Sequence, residues 1–129
     1  MDEKQRYEDG LKLRREALGD AYVDRSLSKR TEFNTEFQEM ITRHAWGEIW
    51  LRPGLDRRTR SLIVMAMLIA LNREAELRLH IRASAANGVT RDEVKELFIQ
   101  AMGYAGIPAA NSAFALAAEV FAELDGNAD

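Results

Sequence analysis

Thr59-Arg60-Ser61-Leu62-Ile63-Val64-Met65-Ala66-Met67-Leu68-Ile69-Ala70-Leu71-Asn72 is the stretch on which the fold turns. Leu62 to Leu71 is an unbroken apolar run, too short to cross a bilayer as a helix. Asp56 is placed to cap a helix that continues through Ser61, and Asn72 is placed to stop it. Such a helix is apolar on every side, so it should be buried on every side. In so small a chain, complete burial implies cover supplied by other subunits.

Working outward, the spacing stays helical. Downstream, a helix is expected over Arg73 to Asn87, closed by Asn87-Gly88. Ala75, Leu77, Leu79, Ile81 and Ala83 also alternate as a strand would, but leucine and alanine content and the missing β-branched run favour helix. Thr90-Arg91-Asp92-Glu93 is a capping box opening a fifth helix with Val94, Leu97, Phe98, Ala101 and Met102 as its stripe. Pro108 suits the first turn of a sixth, striped by Ala110, Ala113, Phe114, Ala117, Val120, Phe121 and Leu124. Upstream, one helix runs from about Glu3 to Leu18 and stops at Gly19. Another spans about Thr31 to Trp50, with Phe33, Phe37, Met40, Ile41 and Ala45 as its apolar stripe. The expectation is an all-α fold of about six helices in one domain over 1–129. Its parts would be an N-terminal helix and connection (1–30), a helical core (31–124) and a frayed tail (125–129).

Composition narrows the chemistry. The 129 residues are 47% apolar and 30% charged, with net charge −3 and no long basic stretch, which argues against nucleic-acid binding. Without cysteine there is no disulfide, thiolate nucleophile or CxxC couple. Two histidines, His44 and His80, are too few for a multi-histidine zinc site, and no metal is expected. Met1 to Gly10 is charged and does not read as a signal peptide, so a soluble cytoplasmic protein without membrane attachment is expected.

Two polar constellations could carry chemistry. At about 100° per residue, Arg73, Glu76, His80 and Asn87 share an arc of about 60° between two apolar walls, with Ser84 beside them. This is either a solvated strip with an i,i+4 Glu76-His80 pair or one wall of a site. On the helix before Pro53, His44 and Glu48 fall inside the apolar stripe, where a carboxylate must be paired or line a wet cavity. Trp46 and Trp50 share another face and read as packing residues or, as the alternative, a substrate platform. Arginines crowd Arg52 to Arg60, either a solvated loop or a site for a carboxylate, which guanidinium matches bidentately. Arg78 and Arg82 form a separate i,i+4 pair.

Gln5-Arg6-Tyr7, Arg43-His44-Ala45-Trp46-Gly47-Glu48-Ile49-Trp50, Arg52-Pro53-Gly54-Leu55, Thr59-Arg60-Ser61-Leu62, Leu77-Arg78-Leu79-His80-Ile81-Arg82-Ala83 and Ile107-Pro108-Ala109-Ala110-Asn111 resemble γ-carboxymuconolactone decarboxylase over essentially the whole chain. The wider superfamily includes alkylhydroperoxidase D-like proteins with Cys-x-x-Cys-x-x-x-His on the corresponding helix. Counted back from Gly88-Val89-Thr90, His80 takes the histidine slot, while Arg73 and Glu76 take the cysteine slots. The branch without redox cysteines is therefore the one resembled.

The resemblance implies cofactor-independent decarboxylation of 4-carboxymuconolactone to 3-oxoadipate enol-lactone, in the protocatechuate branch of the β-ketoadipate pathway. The partner would be a small lactone carboxylate, and the protein a homo-oligomer, a hexamer or trimer of dimers. His80 and Glu48 are the catalytic candidates. Arg60, Arg73, Arg82, Glu76, Asn87, His44 and Trp46 are the substrate-binding candidates. Relatives often place a histidine after the phenylalanine of the last helix, where this chain has Phe114-Ala115-Leu116. Alternative readings are a non-catalytic or substrate-shifted member binding a related acid, and an isomerase or hydrolase of a related lactone.

Overall fold

The computed structural model describes residues 2–126, and the described residues are helical and contain no strand. The all-α expectation is borne out, with seven α-helices among those residues rather than about six. They form two compact units, one up to Asp56 and one from Arg57.

In the first unit, α1 (Glu3–Leu18) opens on Asp2, whose side chain accepts from Gln5 N, and ends at Gly19. A second helix, α2 (Asp20–Ser28), was not expected. Only Val23 is buried on it, so its apolar period is faint, and Arg15 of α1 holds it through Asp20 (3.2 Å) and Asp24 (2.8 Å). The helix expected over Thr31–Trp50 is two pieces, α3 (Thr35–Met40) and a π-helical segment (Ile41–Ile49). Its expected stripe fails at its start, because Phe33, Phe37 and Met40 are exposed on the protomer. The core of this unit is Leu13, Ala17 and Trp46, with Trp50 stacked on Trp46 at 4.7 Å.

The second unit holds α4 (Arg57–Ala70), α5 (Glu74–Arg82), a 3₁₀ turn (Ala85–Asn87), α6 (Arg91–Ala105) and α7 (Ile107–Leu124). Leu77 and Ile81 enter the core one helical turn apart, while Leu79 between them, which a strand would bury on the same face, is only half-buried. The capping box forms as expected: Thr90 Oγ1 accepts from Glu93 N at 3.1 Å, and Glu93 Oε1 accepts from Thr90 N at 2.9 Å. Phe98 is fully buried among Met65, Val94 and Val120, with Phe114 edge-on at 5.3 Å. Pro108 lies in the first turn of α7, whose alanines Ala110, Ala113 and Ala117 are buried.

Within the protomer helix α4 is covered on one side: Met65 and Ile69 are buried, while Met67 is 57% and Leu71, just past its end, 66% exposed. Helix α7 is long and apolar enough to cross a membrane, yet its alanine face packs into this core and its Glu119 and Glu123 meet Arg78 and Arg82. At the start of the tail Arg91 grips both carboxylate oxygens of Asp125 at 2.8 Å. Residues 127–129 of the expected tail lie outside the described residues.

Candidate active site

In the first unit, α1 and the π-helical segment touch backbone to backbone. A Cβ on Gly10 would lie 2.3 Å from the Thr42 carbonyl oxygen, and one on Gly47 would lie 2.3 Å from that of Arg6. Glycine at both positions is what allows the approach. Arg14, buried in the same place, donates from Nη1 to Thr42 Oγ1 (3.2 Å) and from Nη2 to Ser26 Oγ (3.3 Å). Thr42 Oγ1 in turn donates to the Gln38 carbonyl at 3.1 Å. Burial lowers the Arg14 pKa from its ordinary value, against the opposing pull of Tyr22 and Tyr7.

The π register, seen in the Trp50 N to Ala45 O bond of 2.9 Å, widens the turn and moves side chains off the positions a 3.6-residue period assigns. Thr42, Trp46 and Gly47 face inward. His44 and Glu48 are not core-facing, as the α-helical reading placed them. They lie on the exposed side, paired Nδ1 to Oε2 at 3.1 Å. Trp46 fills the core at 5% exposure, which favours the packing reading of this residue. His44 and Glu48 open on a cavity of about 430 Å³ lined also by Glu3, Arg6, Met40 and Arg43. Arg6 and Arg43 were not among the expected site residues, although both stand inside segments that carry the resemblance.

In the second unit the polar strip is broken up. Helix α5 ends at Arg82, so Asn87 sits on the following 3₁₀ turn, buried, with Nδ2 donating to the Ala83 carbonyl at 3.1 Å. Ser84, also buried, donates to the Ile81 carbonyl at 2.7 Å. Arg73 precedes α5 and is exposed, as is Glu76 in its first turn. Arg60 is half-buried on the first turn of α4. Arg82 is drawn to Glu123 and Arg78 to Glu119, which makes theirs the outer face of α5. His80 is half-buried, and burial pushes its pKa from 6.5 down to about 4, with Glu76 pulling the other way. Near neutral pH the ring is therefore uncharged.

A larger groove of about 720 Å³ runs between α4 and α6 over Leu62, Ala66, Leu97 and Ala101, with Asp92, Glu93 and Glu96 at its edge. Apolar floor and acidic edge suit it poorly to an anionic small molecule, and none of the expected site residues lines it. Among the described residues, no three histidines or carboxylates gather in a way that could hold a metal ion.

The first unit of this all-helical chain thus sets Arg6, Arg43 and a His44-Glu48 pair around one small cavity. Residues 35–119 match the Carboxymuconolactone decarboxylase family, and the chain belongs to that family. It is 54% identical over 124 residues to a protein named 4-carboxymuconolactone decarboxylase from Acinetobacter baylyi, covering 96% of this chain and 92% of that one. It is 42% identical over 102 residues to nitrosuccinic acid decarboxylase npaB from Metarhizium robertsii, covering 79% of this chain and 71% of that one. A 4-carboxymuconolactone decarboxylase sequence from Pseudomonas putida is 67% identical over 48 residues, all of that sequence and 37% of this chain.

Proposed function

We propose that this protein is a cofactor-independent carboxy-lyase that converts 4-carboxymuconolactone to 3-oxoadipate enol-lactone in protocatechuate breakdown. The observation that carries this reading is the 54% identity, over nearly the whole of both chains, to the Acinetobacter decarboxylase. The substrate carries its own electron sink. As the carboxylate leaves as CO2, its bonding electrons run through the ring alkene to the lactone carbonyl oxygen, and a proton then adds to carbon. The Metarhizium relative is named for the decarboxylation of another acid, nitrosuccinic acid. The substrate class is thus an acid with a second carboxylate and a built-in acceptor.

Three tasks fall to the protein: holding a dianion, stabilising the developing oxyanion, and protonating carbon. His44 and Glu48, 3.1 Å apart beside a cavity, are the pair we assign to proton handling. This also answers Ala115, exposed on α7, where relatives often carry histidine. His80 receives a changed role. A ring with pKa about 4 cannot deliver a proton as imidazolium near neutrality, but its neutral N–H can hydrogen-bond an oxyanion. We further propose that the protein works in the cytoplasm as a homo-oligomer, a hexamer or trimer of dimers. The exposed apolar face of α4 and the groove beside it support subunit contact.

The test is to generate 4-carboxymuconolactone in situ with the upstream enzyme, follow its ultraviolet absorbance with and without this protein, and identify the product by NMR. Enol-lactone should form faster than it does spontaneously. No acceleration by folded protein would refute the proposed substrate.

A further inference from the structure

Glu3 stands in the first turn of α1, and its carboxylate meets two guanidiniums from different elements. Oε1 lies 2.8 Å from Arg6 Nη1 of α1, and Oε2 lies 3.3 Å from Arg43 Nε of the π-helical segment. Glu39 touches Arg43 more loosely, at 3.6 Å. The two arginines belong to the wall, with side chains 28% and 29% exposed, whereas that of Glu3 is 70% exposed. The carboxylate is thus the outlying member of the cluster, on a helix end where side chains reorient cheaply. All three line the cavity that His44 and Glu48 share, and Met40 adds an apolar side to it. Arg6 is seated there by the glycine contact, since a Cβ on Gly47 would lie 2.8 Å from its Cγ.

We propose that Arg6 and Arg43 form a carboxylate-binding subsite for a dianionic acid, and that Glu3 occupies the position the ligand's carboxylate takes. Forked guanidiniums from two elements grip one carboxylate through charge-assisted bonds, which fixes its orientation as well as its charge. The second charged end of the ligand then faces His44 and Glu48. Glu3 acts as an intramolecular competitor, so it weakens binding while keeping the two guanidiniums apart from Glu48. The inference names the binding half of the site proposed above and rests on that reading for the identity of the reacting acid.

The test joins kinetics with a binding probe that needs no turnover. On 4-carboxymuconolactone, Arg6→Gln and Arg43→Gln, with helicity checked by circular dichroism, should each raise KM tenfold or more with a smaller change in kcat. Arg43→Lys should fall between wild type and Arg43→Gln, and Glu3→Gln should lower KM severalfold. In parallel, succinate is titrated while the arginine Nε–H resonances are followed by NMR, with butyrate as the singly charged control. Succinate should shift the Arg6 and Arg43 signals at lower concentration than butyrate. Unchanged KM in both glutamine variants, or a raised KM in Glu3→Gln, would overturn the subsite while leaving the decarboxylase reading intact. If wild type turns over no lactone, succinate shifts at Arg6 and Arg43 would uphold the subsite without that reading. Their absence would overturn the subsite as well.

Discussion

His80 shows how far a residue's identity stands from its role. Its position one turn from Glu76 is legible in the sequence. Its protonation state is not, because the depression to about 4 comes from burial by residues distant along the chain. The sign of the pH effect follows. Unfolded, the ring titrates near 6.5, so between about 6.5 and 4 the unfolded chain binds the extra proton and stability falls as pH falls. The loss by pH 4 is on the order of 3 kcal/mol. Urea titrations across pH should show wild type and His80→Gln running parallel above about 6.5, with wild type losing ground below it. A difference that stays flat throughout would mean the ring is not desolvated. In the decarboxylase assay, His80→Gln should lower turnover at least tenfold, and by up to the roughly 10²–10³-fold that loss of one oxyanion donor costs.

The π-helical segment is where pattern reading failed and where the first unit is most exacting. A 3.6-residue period put His44 and Glu48 among apolar residues. The i→i+5 register turned them outward and turned Thr42, Trp46 and Gly47 in. Nothing in the local sequence announces that register, which is imposed by the glycine contact and by the Arg14–Thr42 bond from α1. Likewise α2 escaped notice because one buried valine makes no stripe. Gly47→Ala pushes a methyl group against the Arg6 backbone and should cost about 2 kcal/mol or more. Gly54→Ala, where a Cβ meets nothing within 4 Å, should be close to neutral. Thr42→Val keeps the shape but leaves the buried Arg14 short of an acceptor, a loss of about 1–3 kcal/mol. Shifts in urea midpoint measure all three, and a neutral Gly47→Ala would show that the two backbones can part without cost.

Among the described residues, the helical class, the Thr90 capping box, the Pro108 start and the buried centres of the α6 and α7 stripes were legible, because they are local or periodic signals, whereas Met102, Phe114 and Leu124 of those stripes are exposed on the protomer. Where α4 finds its cover was only half legible. Its all-round apolarity was evident, yet within the protomer one face stays open at Met67 and Leu71. If a second copy covers that face, Met67→Glu should shift the sedimentation coefficient toward smaller species and leave the far-ultraviolet circular dichroism unchanged. An undisturbed sedimentation pattern would place the subunit contact elsewhere. Phe98→Ala, by contrast, empties the middle of the second unit's core and should cost about 3–5 kcal/mol.

The seating of α1 on Gly47 also bears on how the protein is handled at the bench. Glu3 and Arg6 stand within the first two turns of the chain's first helix, and Arg6 presses on the segment that carries His44. On the proposed subsite, a change made within those two turns should therefore disturb the chemistry before it disturbs the fold. Such a preparation would pass every check of solubility and helicity and still misreport the enzyme.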